Sequence, residues 1–161
     1  MALGDNTLAS ARGNTQRGRN PYMVQTTLNW ATALSDKGTA LAAADVVPVI
    51  AVKKGTMILN AGIEVDTATD GSTFTVDLGT GVDPDVFVDG FDATSAAAVV
   101  AQNPAVYQPV MAVADDNIDV TIATLSGGAV SSGKFRVWAV LMDCTDIGDM
   151  AANEVDRDTL A

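Results

Sequence analysis

The feature that most constrains this chain is a two-residue alternation of apolar and polar side chains, repeated in short runs with turn residues between them. Such alternation suits a half-buried strand and cannot lay one apolar stripe along a helix. From Tyr22 to Ala31, Tyr22, Val24, Thr26, Leu28 and Trp30 fall on one face, and Met23, Gln25, Thr27 and Asn29 on the other. Thr56–Thr67 sets Met57, Leu59, Ala61, Ile63 and Val65 against Ile58, Asn60, Gly62, Glu64 and Asp66. Ile118, Val120 and Ile122 alternate with Asp119, Thr121 and Ala123. Phe135, Val137, Ala139 and Leu141 alternate with Arg136, Trp138, Val140 and Met142, so Phe135–Asp143 is apolar on both faces and is expected between layers.

The intervening segments complete the pattern. Val46–Val52 is β-branched but holds Pro48, which cannot donate to a ladder, so this strand is expected at an edge or to start there. Asp70-Gly71 predicts a hairpin between Thr56–Thr67 and Thr73–Leu78. Gly127-Gly128 and Ser131–Gly133 predict another. Residues 35–45 read as a loop with a short helical turn over Leu41–Ala44, Gly79–Asp92 as a loop, and the alanine-rich Thr94–Gln102 as one or two turns of helix. Val106–Ala114 is a strand candidate interrupted by Pro109. About seven strands at this spacing predict an all-β fold, a single antiparallel β-sandwich or jelly-roll-like domain over residues 21–145. Leu28, Trp30, Ile63, Val65, Ile122, Val137 and Ala139 are its expected core.

The two ends differ from this body. Residues 1–20 are rich in Gly, Asn, Ser and Thr and hold Arg12, Arg17 and Arg19 against one acid, Asp5. They read as a flexible, extended N-terminal arm, with those arginines as candidate partner-binding residues. Residues 146–161 read as an acidic tail. The N-terminus shows no apolar signal region and no run reaches the length of a membrane span, so the expectation is a protein made in the cytoplasm, without a membrane partner.

Composition narrows the chemistry. There is no histidine, which removes the commonest general base and metal ligand. Cys144 is the one cysteine, so no internal disulfide can form, and it is expected as a small buried residue at a strand end. No phosphate-binding loop or nucleophile elbow is present, so no enzyme, no catalytic residue and no cofactor is expected. Asp77, Asp83, Asp85, Asp89 and Asp92 crowd one segment with three glycines, but their spacing is not that of an EF-hand loop. A solvated acidic loop is the simpler reading, with calcium at Asp83–Asp89 as the alternative and no metal required for folding.

One stretch carries a resemblance. KKGTMILNAGIEVDTATDGSTFTVDLGTGVDPDVFVDGFD is similar to a pattern in small virion structural proteins of tailed bacteriophages, especially phages of marine bacteria and cyanobacteria. Gly55-Thr56, Ile58-Leu59-Asn60, Gly62, Thr73–Gly79 and Asp83–Asp92 carry the match, over roughly a quarter of the chain. The resemblance implies a decoration or cement protein on the capsid exterior, bridging subunits of the major capsid protein, and it implies a homo-oligomer, a trimer first of all. A tail, fibre or portal-associated virion protein is the alternative, and a calcium- or carbohydrate-binding β module the second.

The net charge of -11 excludes one partner class for the β body. A surface this acidic repels a phosphate backbone. The purified protein should therefore pass through a duplex-DNA column at physiological salt, and retention that falls steeply with added salt would show the opposite.

Overall fold

The computed structural model describes Ala9–Ser10, residues 20–101 and residues 109–144. The expected arm and acidic tail, Arg12, Arg17 and Arg19 among them, otherwise lie outside the described residues.

The chain forms two packed sheets. Its strands are β1 (Ala9–Ser10), β2 (Tyr22–Asn29), β3 (Val46–Val52), β4 (Thr56–Thr67), β5 (Thr73–Thr80), β6 (Val88–Asp92), β7 (Val99–Ala101), β8 (Val110–Met111), β9 (Asp116–Ser126) and β10 (Lys134–Asp143), with one helix, α1 (Trp30–Lys37). One sheet runs β1-β3-β9-β5-β6, and the other β2-β10-β4-β7 with β8 also on β4. The antiparallel pairs are nested: β2 with β10, β3 with β9, β4 with β7, and β5 with β6. The chain is thus one long hairpin rolled up into a two-sheet sandwich. Rolling makes further pairs, β10 with β4 and β9 with β5, which complete each sheet.

The expected core is found. Leu28, Trp30, Ile63, Val65, Ile122, Val137 and Ala139 are all fully buried, with Phe74, Phe135, Ile118 and others between the sheets. Three rings join the parts. Trp30 of α1 meets Phe74 of β5 at 4.9 Å and Phe135 of β10 at 5.4 Å, both edge to face. That geometry adds about 0.5–1.5 kcal/mol per pair to the burial. The indole N–H of Trp30 has no acceptor among the described residues.

Several sequence expectations are corrected. The strand through Ala31 stops at Asn29, and Trp30 opens α1 instead. The Asn29 side chain accepts from the Ala31 N–H, and Gly38 closes the helix at φ 69°. These are cap residues at both ends of an eight-residue segment. Leu41–Ala44 is not helical, and Asp45 is held there by Lys37 Nζ and the Ala42 N–H. The expected helix over Thr94–Gln102 is replaced by a turn and β7 as far as the chain is described, because Val99–Ala101 completes the edge beside β4. The Gly79–Asp92 loop contains β6, paired with β5.

Neither expected hairpin exists. β4 and β5 lie in different sheets, as do β9 and β10, so Asp70-Gly71 and Gly127–Gly133 are arches that cross the sandwich. The two arches brace each other. Asp70 accepts from the Ser131 and Ser132 N–H groups and from the Ser131 hydroxyl, and Ser72 Oγ donates to the Gly127 carbonyl. Asp70 thus caps the opposite arch instead of turning its own chain.

The alternation also slips. Opposite β10, Val140 faces Asn60 but Leu141 faces Ile58, which leaves Leu59 as an extra residue. This bulge puts Ile58 in phase with buried Ala61, Ile63 and Val65, and leaves Met57 and Leu59 partly exposed. β10 lies centrally in its sheet, but its second face is open: Arg136 is exposed, and Trp138, Val140 and Met142 are half-covered. Trp138 lies against Gly62, where a Cβ would sit 2.4 Å from its ring. Pro48 sits as expected on an edge-like strand, since β1 meets β3 only at Ile50–Ala51, and β3 slips register against β9 between Pro48 and Ile50. Cys144 is only half-buried, just beyond β10, with its N–H on the Gly55 carbonyl.

Asp70 supplies a test. Its hydrogen bonds, the Ser131 hydroxyl first, hold its carboxyl at about 2, below the ordinary value for an aspartate. A depressed folded value stabilises above the unfolded one and stops doing so as pH falls through about 2. Asp70→Ala should lower the urea midpoint at pH 7, and the gap from the parent should close on acidification below pH 3.

Candidate functional site

Two ends of the sandwich differ in chemistry. The arch end is closed by the Trp30 cluster and the Asp70 network. Among the described residues the opposite end is open. There, Val52 of β3, Ile58 of β4, residues of the stretch 80–86, and the segment 110–117 line a cleft of about 520 Å³.

The walls of the cleft follow from local sequence. β3 ends with Val52 and β4 brings Ile58, both interior residues of their strands. Val86 comes from the loop, and Val110 and Met111 from β8. Pairing places β8: Met57 lies opposite Met111 and Ile58 opposite Val110. The Gly55 N–H donates to the Ala112 carbonyl, and the Ala112 N–H to Thr56. Two rim valines face water: Val82 is 85% exposed and Val113 is 75% exposed. Met111, 40% exposed, joins them. Aliphatic side chains gathered in one exposed place mark an interaction surface more than isolated ones do.

Acids ring this apolar floor. Asp83, Asp115 and Asp116 line it. Asp115 takes Lys53 Nζ and the Lys54 N–H, and the Lys53 ammonium holds its carboxyl below the usual range. Asp83 sits higher than usual because it shares a hydrogen bond with Asp85. Asp77 is raised by burial, against the pull of the Gly90 N–H.

The loop conformation depends on Gly79. A Cβ there would lie 2.2 Å from the Asp83 carbonyl oxygen, so only glycine admits the loop backbone at that point. The Thr80 N–H donates to Asp83 O, and the Asp83 N–H to Thr80 Oγ1. Beside Gly79 in the ladder stands Asp119 of β9, with Pro48 on its other side. Asp119 is 8% exposed, and burial lifts its carboxyl to about 6, with the Asp116 charge adding to the effect.

The aspartates of residues 77–92 approach one another, Asp83 beside Asp85 and Asp77 within reach of Asp85 and Asp89, without forming a metal-binding set. Among the described residues no three His, Cys, Asp or Glu side chains gather as a metal site requires. Asp92 turns to the Thr94 N–H and hydroxyl, and Asp77 to the Gly90 N–H. Sequence reasoning singled out this acidic loop but missed the cleft. Val82 stood in the expected Gly79–Asp92 loop and Val113 in the strand candidate Val106–Ala114, but nothing in sequence showed that residues so far apart meet.

No protein-family model matches the chain, and no curated protein matches it. Solved structures do share its fold. A chain in the capsid of Ralstonia phage GP4 aligns over 86% of this chain and 99% of its own, at 14% identity and a TM-score of 0.59. A chain of the cyanophage Pam1 capsid asymmetric unit aligns over 82% and 91%, at 14% identity and 0.59. A chain of the acidic stable capsid of Helicobacter pylori bacteriophage KHP30 aligns over 78% and 89%, at 11% identity and 0.53. At these identities the likeness is one of fold.

Asp119 tests the electrostatics of this end. A carboxyl whose folded value is raised contributes most below its unfolded value, and the contribution is lost as pH rises through about 6. Asp119→Asn should raise the melting temperature at pH 7.5 and change it little at pH 4, as read by calorimetry at both pH values.

Proposed function

We propose that this chain is a structural protein of a bacteriophage virion that decorates and cements the exterior of the capsid, bridging subunits of the major capsid protein. The observation that carries the reading is the two-way coverage of the capsid chains. The sandwich accounts for nearly all of each matched chain and most of this one. Those chains are therefore single small sandwiches found in capsids, and none is a larger protein with a sandwich inserted. The sequence resemblance to small virion proteins points the same way and rests on different evidence.

The physical properties fit the outside of a head. The net charge of -11 disfavours a place against packaged DNA and keeps free subunits apart until a specific contact forms. A cement works by contacts alone and needs no catalysis. The arm, residues 1–20, supplies Arg12, Arg17 and Arg19 for carboxylates on a partner. Holding it in place costs about 1–2 kcal/mol per residue in backbone entropy, which many identical contacts on one shell offset together. Trimers at three-fold positions suit this arrangement.

Deleting residues 1–20 should leave the sandwich folded and reduce its occupancy on undecorated heads, measured by co-sedimentation and by copies per particle. Unchanged occupancy would remove the arm from the reading. A protein present in a handful of copies per virion would remove the decoration role itself.

A further inference from the structure

The arm and the cleft are complementary. The arm holds three of the nine cations of the chain against one acid. Among the described residues, Lys37, Lys53 and Arg136 are already committed to Asp45, Asp115 and Glu64. The cleft offers an apolar floor with Val82 and Val113 exposed at its rim, and Asp83, Asp115 and Asp116 around it. Lys53 answers Asp115, while Asp83 lies against a second carboxylate, Asp85. An occupant that matches this surface is extended and carries arginines near small or apolar side chains. The arm, with Leu8, Arg12, Arg17 and Arg19, is such a segment.

Backbone pairing supplies the direction. Ala9 lies opposite Ile50 and Ser10 opposite Ala51, in parallel with β3. A chain on this edge therefore runs toward Val52, which lines the cleft. The arms of all copies are identical, so a neighbour's arm can take the same edge, as in the exchange of identical elements between protomers.

We propose that the cleft receives the arginine-bearing arm of a neighbouring copy, which takes the β3 edge and sets its cations against the acidic rim. Like-charged bodies then join through the one basic segment expected in the chain. The contact is head to tail, and it closes into a ring when the rotation between copies allows. The inference rests on the reading above only in so far as the head brings copies side by side.

The test uses two full-length proteins, both with Cys144→Ser. One carries Thr15→Cys in the arm, and the other Val113→Cys at the rim. They are mixed and oxidised in concentrated solution and again on undecorated heads, with a small tag on one partner to separate the dimers. The Thr15–Val113 disulfide should exceed both symmetric ones several-fold. It should fall toward them in molar salt or when Arg12, Arg17 and Arg19 are changed to Glu. A mixed disulfide no more abundant than the symmetric ones in both settings would overturn the proposal. So would closure within a chain that carries both cysteines when mixing yields no heterodimer, since the arm would then occupy its own cleft. Co-sedimentation with heads is read separately: its loss would defeat the capsid reading, and the solution experiment would still decide this one.

Discussion

Three aromatic rings hold the two sheets in register. Phe74 belongs to one sheet, Phe135 to the other, and Trp30 to the helix that caps the space between them. All three are fully buried. Truncating such a ring in a core costs about 3–5 kcal/mol, a large share of what a domain of this size has to lose. The arches depend on this cluster. The backbone N–H of Trp30 donates to the carbonyl of Gly133 at the end of one arch, and a side chain at Gly133 would find no room between Trp30 and Thr69. The Asp70 network closes the same end from outside.

With one end fixed in this way, the other end is free to differ. Its turns carry valines into water and carboxylates around them, a combination that does nothing for the stability of an isolated subunit. Asp119 sits close to neutrality in its buried place, so the structure tolerates an acid where an amide would serve better. Local choices that cost stability concentrate at functional or strained sites in folded proteins.

Much of the fold was legible because burial imposes a period of two over long stretches of the main strands. The whole expected core was found, and Val46–Val52 and Thr56–Thr67 have the bounds read from sequence. What was hidden is a matter of phase and partnership. Trp30 continues the alternation of Tyr22–Leu28, so the pattern ran on past the Asn29 cap. At Leu59 one inserted residue reversed the faces of β4, and no composition signal marks a bulge. Asp70-Gly71 gives a tight turn its residues, but the same pair serves an arch when the next strand pairs elsewhere. The cleft was illegible for a related reason. Its walls come from four stretches of chain that only the rolled topology brings together.

That topology also governs when the subunit comes into being. β10, the last strand among the described residues, stands between β2 and β4, so these two have no common neighbour until residues 134–143 arrive. The pairing of β2 with β10 spans most of the chain, and such long-range closure slows folding. On the ribosome, no earlier length of chain can complete the sheet to which β2 and β4 belong. A chain halted before β10 therefore leaves strand edges exposed, a substrate for aggregation or proteolysis. Quality control is thereby written into the order of synthesis: the sheet presents a finished face only after β10 has been made.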